Sequence, residues 1–296
     1  MKDVLSPKEL ASAIGVSESS LRRWADAGLL QISRTAGGHR RIPLAEAVRF
    51  IRDSHTNVVR PELLGLAPLT TAPSAPPKPA AELDRLYDAL IAGDAPLARG
   101  IVLSLYVTGN SLPVLFDTYL APAMHRAGEL WTHTPRGILM EHRATDLAIQ
   151  IVNHLRQLLP VPSATPDAPP LAVGGAPSED IYLLPSHMAA ATLADCGYAV
   201  QNLGPETPFD TLALAAEDLC PRLTYLSFTS ATATERIRRE DVYALADRLA
   251  KCPSILLVGG QQLPRLRLGA RPNLHILANM SELAAFARGA HSTSVQ

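Results

Sequence analysis

The sequence predicts a multidomain α+β protein with three folded parts: a small head with a β-hairpin, a bundle of helices, and an α/β domain on a parallel sheet. Three observations predict this class. Capped amphipathic helices and a glycine turn fill residues 1–57, apolar residues recur at helical spacing over 82–160, and short apolar runs alternate with helical segments over 169–290. A proline- and alanine-rich stretch at 58–81 is expected to be a linker.

Charge is unevenly distributed along the chain. Residues 1–60 contain ten Lys or Arg against six Asp or Glu, a formal charge of +4 in a chain whose net charge is −1. Only this first part is suited to a polyanionic partner. Cys196, Cys220 and Cys252 are far apart and lack metal-ligand spacing. With no signal peptide and no run of about 18 apolar residues, we expect a cytoplasmic protein without membrane contact.

Two capped helices and a hairpin make up the predicted head. Ser6 and Ser17 are N-cap candidates for the two helices, and Gly28 ends the second. Residues 36–38, Ala-Gly-Gly, predict a hairpin turn, and residues 44–53 predict a third helix. A helix followed by a cationic hairpin is typical of a winged helix-turn-helix. In that fold the second helix enters the major groove of DNA and the wing contacts the backbone beside it.

The head carries a specific motif. Leu-Arg-Arg-Trp-x-x-x-Gly-Leu-Leu at residues 21–30, followed by Gly-Gly-His-Arg-Arg at 37–41, resembles the DNA-binding domain of the MerR family of transcription regulators over residues 4 to 54. The resemblance implies a homo-oligomer, dimer or tetramer, on a double-stranded DNA operator with paired half-sites. It implies DNA contacts from Arg22, Arg23, Arg34, His39, Arg40 and Arg41. The alternative is that these are solvated charges on a small helical domain.

The middle of the chain is predicted to be helical. Helices beginning at Glu82 and covering residues 97–107, 111–131 and 137–159 are joined by loops of a few residues. Such a pattern predicts a four-helix bundle.

The last part predicts a flavodoxin-like (Rossmann-like) α/β domain. Strands at 171–174, 199–203, 223–228, 255–258 and 274–277 alternate with helices at 180–196, 209–219, 235–251 and 281–289. Ligands of such sheets bind outside the carboxyl ends of the strands.

A second resemblance begins at Trp131, which is followed after nine residues by Glu141 and His142. This pattern is similar to the one with which the light-responsive, cobalamin-dependent repressors of the CarH and LitR type cover the upper face of adenosylcobalamin. The resemblance implies a ligand between bundle and sheet. Thr132 stands where those repressors have a histidine, and His133 lies one residue late. The alternative is a core tryptophan and a surface pair.

The sheet of those repressors carries the signature Asp-x-His-x-x-Gly, Ser-x-Leu and Gly-Gly. The matching residues here are Asp180, Tyr182, Pro185, Ser227, Thr229, Gly259 and Gly260. Tyr182 stands where the cobalt-ligating histidine belongs, and a tyrosine with its ordinary pKa of about 10 must lose a proton before it binds a metal. We therefore predict ligand contacts from this set, except Pro185, and no metal ligand.

Three interpretations remain open. Cobalamin binds without a protein histidine below the cobalt; a metal-free linear bilin such as biliverdin binds instead; or the domain is empty and serves only oligomerisation or partner binding. The first two predict a regulator whose oligomeric state or operator binding is controlled by a tetrapyrrole and responds to light. The third predicts a ligand-independent MerR-type repressor. An enzyme is not expected, because Tyr182 removes the ligand that cobalt chemistry needs and no other catalytic motif occurs.

Overall fold

The structure, a computed structural model, describes residues 4–67, 79–130, 134–160 and 168–292, with the side chains of 291 and 292 excepted. The chain divides into two compact units, Met1–Pro160 and Val161–Gln296. The first contains the head and the bundle, and the second contains the α/β domain.

The head follows the predicted order of elements. The Ser6 hydroxyl accepts a hydrogen bond from the Glu9 N–H, and the Glu9 carboxylate accepts one from the Ser6 N–H, which together form a capping box. Leu10, Leu21 and Ile42 are fully buried and form its core. Its elements are β1 (Val4–Leu5), α1 (Pro7–Ile14), α2 (Glu18–Asp26), β2 (Ser33–Arg34), β3 (Arg40–Pro43) and α3 (Leu44–Ser54).

The hairpin of the head belongs to a three-stranded antiparallel sheet of order β1-β3-β2. β2 and β3 form the predicted hairpin, and β1, which the sequence pattern did not indicate, pairs with the other edge of β3. A two-residue strand is too short to show a periodicity, so its pairing is visible only in the folded chain.

Residues 58–67 were predicted to be part of a linker, but they are packed. The N–H groups of Val59 and Arg60 donate to the Ala13 carbonyl at 2.8 and 3.0 Å, and a 3₁₀ helix follows over Pro61–Leu64. Leu64 and Leu66 are buried. Burial of these two leucines offsets part of the entropy that is lost when the segment is ordered. The proline and glycine of the segment are what made it look like a linker. At the other end of the interval, residues 79–81 already belong to a helix.

The bundle contains the four predicted helices. Leu86, Ile101, Phe116 and Leu155, one from each, are fully buried together in its interior. The third helix is interrupted by a π-helical turn over Phe116–Leu120. Its elements are α4 (Pro79–Ala92), α5 (Ala95–Val107), α6 (Leu112–Leu115), α7 (Ala121–Leu130) and α8 (Pro135–Leu158).

The second unit is a five-stranded parallel sheet of order β5-β4-β6-β7-β8. Its chain reversal lies between β4 and β6, which is the flavodoxin-like order with its ligand-binding switch point. The predicted multidomain α+β class is therefore confirmed. The elements are β4 (Leu171–Pro177), α9 (Leu183–Asp195), β5 (Ala199–Thr207), α10 (Phe209–Leu219), β6 (Leu223–Ser227), α11 (Ala231–Arg236), α12 (Arg239–Leu249), β7 (Ile255–Gly259), β8 (Leu274–Leu277) and α13 (Met280–Ser292).

Apolar layers cover both faces of this sheet. Leu212 of α10 and Leu245 of α12 pack in one layer, and Leu193 of α9 and Leu283 of α13 pack in the other. Each fully buried leucine contributes about 1.5–3 kcal/mol relative to an exposed one. The continuous apolar runs of the inner strands follow from this coverage on both sides.

Two helices of this unit differ from their predicted bounds. The helix predicted at 180–196 begins at Leu183, because Asp180 lies in the preceding loop. The helix predicted at 235–251 is two helices, α11 and α12. The break comes where the Arg238 N–H donates to the Asp241 carboxylate at 2.9 Å and starts a new helix.

In the part of the chain that the structure describes, no helix is long and apolar enough to cross a membrane.

Candidate functional site

The recognition helix α2 presents two arginines to solvent. Arg22 and Arg23 are exposed, while Leu21 between α1 and α2 is fully buried. The ring of Trp24 packs against Phe50 of α3, with centroids 5.1 Å apart. The apolar face thus anchors the helix and leaves the cationic face open. The Arg23 guanidinium donates to the Ser20 hydroxyl at 3.3 Å.

The wing carries the other four predicted DNA contacts. Arg34 of β2 lies directly opposite Arg40 of β3, and Arg41 lies opposite Ser33. Arg34 and His39 are exposed, and Arg40 and Arg41 are half-buried. The Arg41 guanidinium donates to the Arg40 carbonyl at 3.2 Å, which keeps it on the surface of the ribbon.

The charges of α2 and the wing are available to an anion. Among the described residues, none of the five arginines Arg22, Arg23, Arg34, Arg40 and Arg41 forms an ion pair with a carboxylate. The arginines of α3 are already engaged. Arg49 is paired with Glu46 and Asp53. Arg52 donates to the carbonyls of Tyr106 and Asn110 at the end of α5 and lies over the Tyr106 ring.

The bundle contributes part of the second predicted site. Trp131 and His133, and Thr132 between them, lie outside the described residues. Glu141 of α8 is half-buried and accepts a hydrogen bond from the Thr145 hydroxyl at 2.8 Å. His142 is exposed, with its Nε2 atom 3.6 Å from the Glu141 carboxylate. Glu141 and His142 therefore lie side by side on α8, and the Thr145 hydroxyl holds the Glu141 carboxylate in place.

At the carboxyl edge of the sheet, Asp180 is fully buried and binds three backbone N–H groups. Oδ2 accepts from Thr229 at 2.5 Å and from Ser230 at 2.8 Å, and Oδ1 accepts from Tyr182 at 3.2 Å. Burial raises the pKa of the Asp180 carboxyl, and the amide hydrogen bonds lower it by less. The carboxylate therefore joins the loop after β4 to the loop after β6 at the switch point.

Tyr182 stands at the start of α9 with 48% of its surface exposed. Its neighbours Ile181 and Leu183 are also exposed, at 67% and 40%. The edge thus presents an apolar and aromatic surface where the signature has an imidazole. His187, the nearest histidine in the chain, is half-buried more than one turn further along α9.

The remaining signature residues shape the ends of the central strands. Ser227 is buried, and its hydroxyl donates to the Gly175 carbonyl at 3.4 Å. Gly260 has φ of +115°, and a Cβ there would lie 2.3 Å from the Phe228 carbonyl oxygen, so only glycine fits. The Gly259 carbonyl accepts from the Phe228 N–H at 2.8 Å. Asp180, Ser227, Thr229 and the glycine pair therefore lie at ends of adjacent strands, as the signature requires.

Sequence reasoning missed a cleft of about 540 Å³ beside this edge. Phe209, Ile237 and Leu245 supply its apolar surface, and Arg236 and Arg248 its cations. Both arginines are paired, Arg236 with Glu179 and Arg248 with Glu217 and Asp210. Its lining comes from α10, α12, the loop after β4 and the end of α11. These segments are far apart in the chain, so no local pattern could have indicated the cleft.

The residues at the sheet edge do not fit a protein-coordinated cobalt. A cobalamin held from below needs an imidazole and a carboxylate that orients it. Here the side chain is a phenol, and the neighbouring carboxylate is occupied by three amides. In the described part of the chain, no group of three or more His, Cys, Asp or Glu is placed to hold a metal ion.

Two parts of the chain match models of known protein families. Residues 6–42 match the model of the MerR family regulatory protein, and residues 82–156 match that of the B12 binding domain. The HTH-type transcriptional repressor CarA of Myxococcus xanthus is 26% identical over 278 residues, which cover 92% of this chain and 90% of the repressor.

Among solved structures, the monomethylamine corrinoid protein of Methanosarcina barkeri aligns with a TM-score of 0.51 at 17% identity, covering 72% of this chain and 99% of that one. At this identity the likeness supports the fold alone. The bundle followed by the parallel sheet is therefore an arrangement that a corrinoid protein also has.

Proposed function

Since this chain is a MerR-type DNA-binding transcription regulator that carries a B12-binding domain, we propose that a tetrapyrrole ligand controls how tightly it binds its operator. One observation carries the DNA-binding half. The arginines of α2 and the wing form no ion pairs among the described residues, whereas Arg49 of α3 is paired with Glu46 and Asp53. Side chains without counterions are suited to the phosphates of duplex DNA.

The ligand is a tetrapyrrole of the cobalamin type. The match of residues 82–156 to the B12 binding domain supports this class. Glu141 and His142 in the first unit and the signature residues in the second are the candidate contacts. Because Tyr182 replaces the imidazole, the ligand receives no metal bond at this position and is held by stacking, hydrogen bonds and shape. A linear bilin such as biliverdin can be held in the same way, because it contains no metal and needs no metal bond from the protein.

Control acts through subunit association. Two heads held at a fixed spacing bind paired half-sites more tightly than one head, because the second contact is intramolecular. A ligand that binds one assembly more tightly than the other by about 5.5 kcal/mol moves a population from 1:99 to 99:1. Light absorbed by the ligand is the trigger that we propose for changing that preference. The role is regulatory, and no catalytic step is assigned to the chain.

A ligand-independent repressor is the second candidate. The observation in its favour is that Asp180 already binds three amides within its own unit. In that case the α/β unit functions only in oligomerisation or in binding a partner.

The visible absorption spectrum of the purified protein tests the proposal. A duplex with paired half-sites is selected from a random pool, and gel shifts on it are run in the dark and in light with the protein alone, with adenosylcobalamin and with biliverdin. We expect either adenosylcobalamin or biliverdin to give the protein a visible absorption band. The same compound should change the mobility or the affinity of the DNA complex. Binding to the selected duplex that neither compound alters would leave the ligand-independent repressor.

A further inference from the structure

A pair of side chains on α3 holds the loop that connects the recognition helix to the wing. Residues 29–31 form this loop between α2 and β2. The Arg49 Nη2 atom donates to the Leu29 carbonyl at 2.9 Å, and Glu46 Oε1 accepts from the Gln31 N–H at 2.6 Å. The two side chains also bind each other through two hydrogen bonds of 2.8 and 2.6 Å. We call Glu46 and Arg49 the α3 clamp.

The clamp is partly shielded from water. The Glu46 side chain is 11% exposed and that of Arg49 is 30% exposed, while Asp53, which also pairs with Arg49, is 62% exposed. Burial opposes the charge of Glu46, but hydrogen bonds from Arg49 and Gln31 outweigh it and lower the pKa of Glu46. A bidentate, half-buried pair of this kind is stronger than a surface ion pair.

The backbone hydrogen bonds of the loop join it to the end of α2. The Leu29 N–H donates to the Trp24 carbonyl at 2.9 Å, and Gly28 has the left-handed φ of +76° that ends α2. Leu30 is buried. The clamp supplies the hydrogen bonds that join the backbone of residues 29–31 to α3 among the described residues.

The position of α3 makes this connection important. α3 begins at Leu44, directly after the wing strand β3, so it moves with the wing. The loop moves with the end of α2. Together with the packing of Trp24 against Phe50, the clamp therefore sets the spacing between the arginines of α2 and those of the wing. Neither clamp side chain belongs to the set predicted to contact DNA.

We propose that Glu46 and Arg49 are positioning residues that hold the recognition helix and the wing at the spacing required by a specific DNA site. The inference rests on the proposed DNA-binding function. Charges on separate elements still attract DNA when their spacing is loose, but they no longer match one sequence. Loss of the clamp thus weakens specific binding and leaves non-specific binding nearly unchanged.

The experiment compares the full-length wild type with Glu46→Ala, Glu46→Gln and Asp53→Asn. Affinities are measured by fluorescence anisotropy on a duplex selected from a random pool by the wild type and on a scrambled duplex of the same length. We expect Glu46→Ala to bind the selected duplex about tenfold more weakly, the loss of one charge-assisted hydrogen bond. Its affinity for the scrambled duplex and its salt dependence there should match the wild type.

The matched variants separate positioning from folding. Glu46→Gln keeps an acceptor for the Gln31 N–H, so it should recover part of the specific affinity. Asp53→Asn removes a charge from the same arginine on the solvent side and should bind both duplexes as the wild type does. Circular dichroism checks that each variant is folded, and amide exchange at Gln31 should accelerate in Glu46→Ala alone.

Equal weakening on both duplexes in a folded Glu46→Ala variant would show a general electrostatic effect and overturn the proposal. So would unchanged affinity for the selected duplex. A wild type that enriches no duplex from the pool would instead refute the proposed DNA-binding function, so the two failures are distinguishable.

Discussion

Two carboxylates, one in each unit, accept hydrogen bonds from loop backbone, and their surroundings shift their pKa values in opposite directions. Glu46 in the head binds the Gln31 N–H beside the Arg49 guanidinium, and its pKa is lowered. Asp180 at the sheet edge binds three N–H groups and forms no ion pair among the described residues, and burial raises its pKa. In the head the clamp residues Glu46 and Arg49 are paired with each other, while the arginines of α2 and the wing have no carboxylate partner among the described residues. At the sheet edge the carboxylate is instead surrounded by backbone amides.

This difference suggests how the two sites changed relative to the motifs they resemble. In the head all the cationic residues that the motif predicts to contact DNA are present on α2 and the wing. At the sheet edge the loop geometry is kept by Asp180, Ser227 and Gly260, and Tyr182 stands at the position where the predicted alignment expects an imidazole. Hydrogen bonds and glycines that support folding can keep a loop geometry whichever side chain stands at that position.

The largest effect should come from the open cations of the head. Replacing Arg34 and Arg40 together with alanine should weaken duplex DNA binding about 100-fold at low salt, as expected for two charge-assisted hydrogen bonds. The slope of log affinity against log salt should fall by about 1.8, or 0.9 for each phosphate contact. Anisotropy titrations at several salt concentrations measure both.

The control for this double variant is Arg60→Ala with Arg239→Ala, two exposed arginines that are paired with Glu62 and Glu240. It changes the net charge equally and should leave the slope unchanged. An equal loss in the control would mean that net charge, rather than the wing, determines binding.

At the sheet edge, Asp180→Ala should lower the free energy of unfolding of the α/β unit by about 2 kcal/mol, because three buried or partly buried N–H groups lose their acceptor. Urea unfolding followed by circular dichroism measures it. Asp218→Ala, an exposed aspartate on α10, should change stability by no more than about 0.5 kcal/mol. Equal values for the two variants would mean that the loops are held by other contacts.

Tyr182→His should sharpen the contrast between the two sites by restoring an imidazole. We expect the affinity for cobalamin to rise about tenfold, or 1.4 kcal/mol, and the cobalt(II) spectrum in electron paramagnetic resonance to show coupling to ¹⁵N from labelled histidine. Tyr182→Phe should give neither change. The gain is limited because the Asp180 carboxylate is occupied and cannot orient the ring. No gain would show that the signature is misaligned.

The smallest effect is the opposite pH dependence of the two carboxylates. Because the pKa of Glu46 is lowered on folding, the wild type should exceed Glu46→Gln in stability above about pH 4.3, and the difference should vanish as the pH falls through the folded pKa. Because the pKa of Asp180 is raised, the wild type should lose stability relative to Asp180→Asn as the pH rises from about 3.9 through the folded value. Urea unfolding at a series of pH values gives both curves, and slopes of the same sign would contradict the comparison.

Several features could be predicted because their signals are local. Ser6 and Ser17 cap helices as their positions indicated, and the alternation after residue 169 produced a parallel sheet of flavodoxin-like order. Residues 58–67 could not be predicted, because the burial of Leu64 and Leu66 depends on surfaces far away in the chain. The break between α11 and α12 has a local cause, the hydrogen bond from the Arg238 N–H to the Asp241 carboxylate, which the prediction of one helix over 235–251 overlooks.

The sequence by itself determined the order of elements, the open cations of the head and the missing imidazole at Tyr182, since these depend on residue type and short spacing. Only the tertiary structure decided what the charged residues of α3 and the loop after β4 do. Glu46 lies 15 positions from Gln31, and Asp180 lies 49 from Thr229. A hydrogen bond across such a distance requires the fold that brings its two ends together, and no local pattern of residues encodes it.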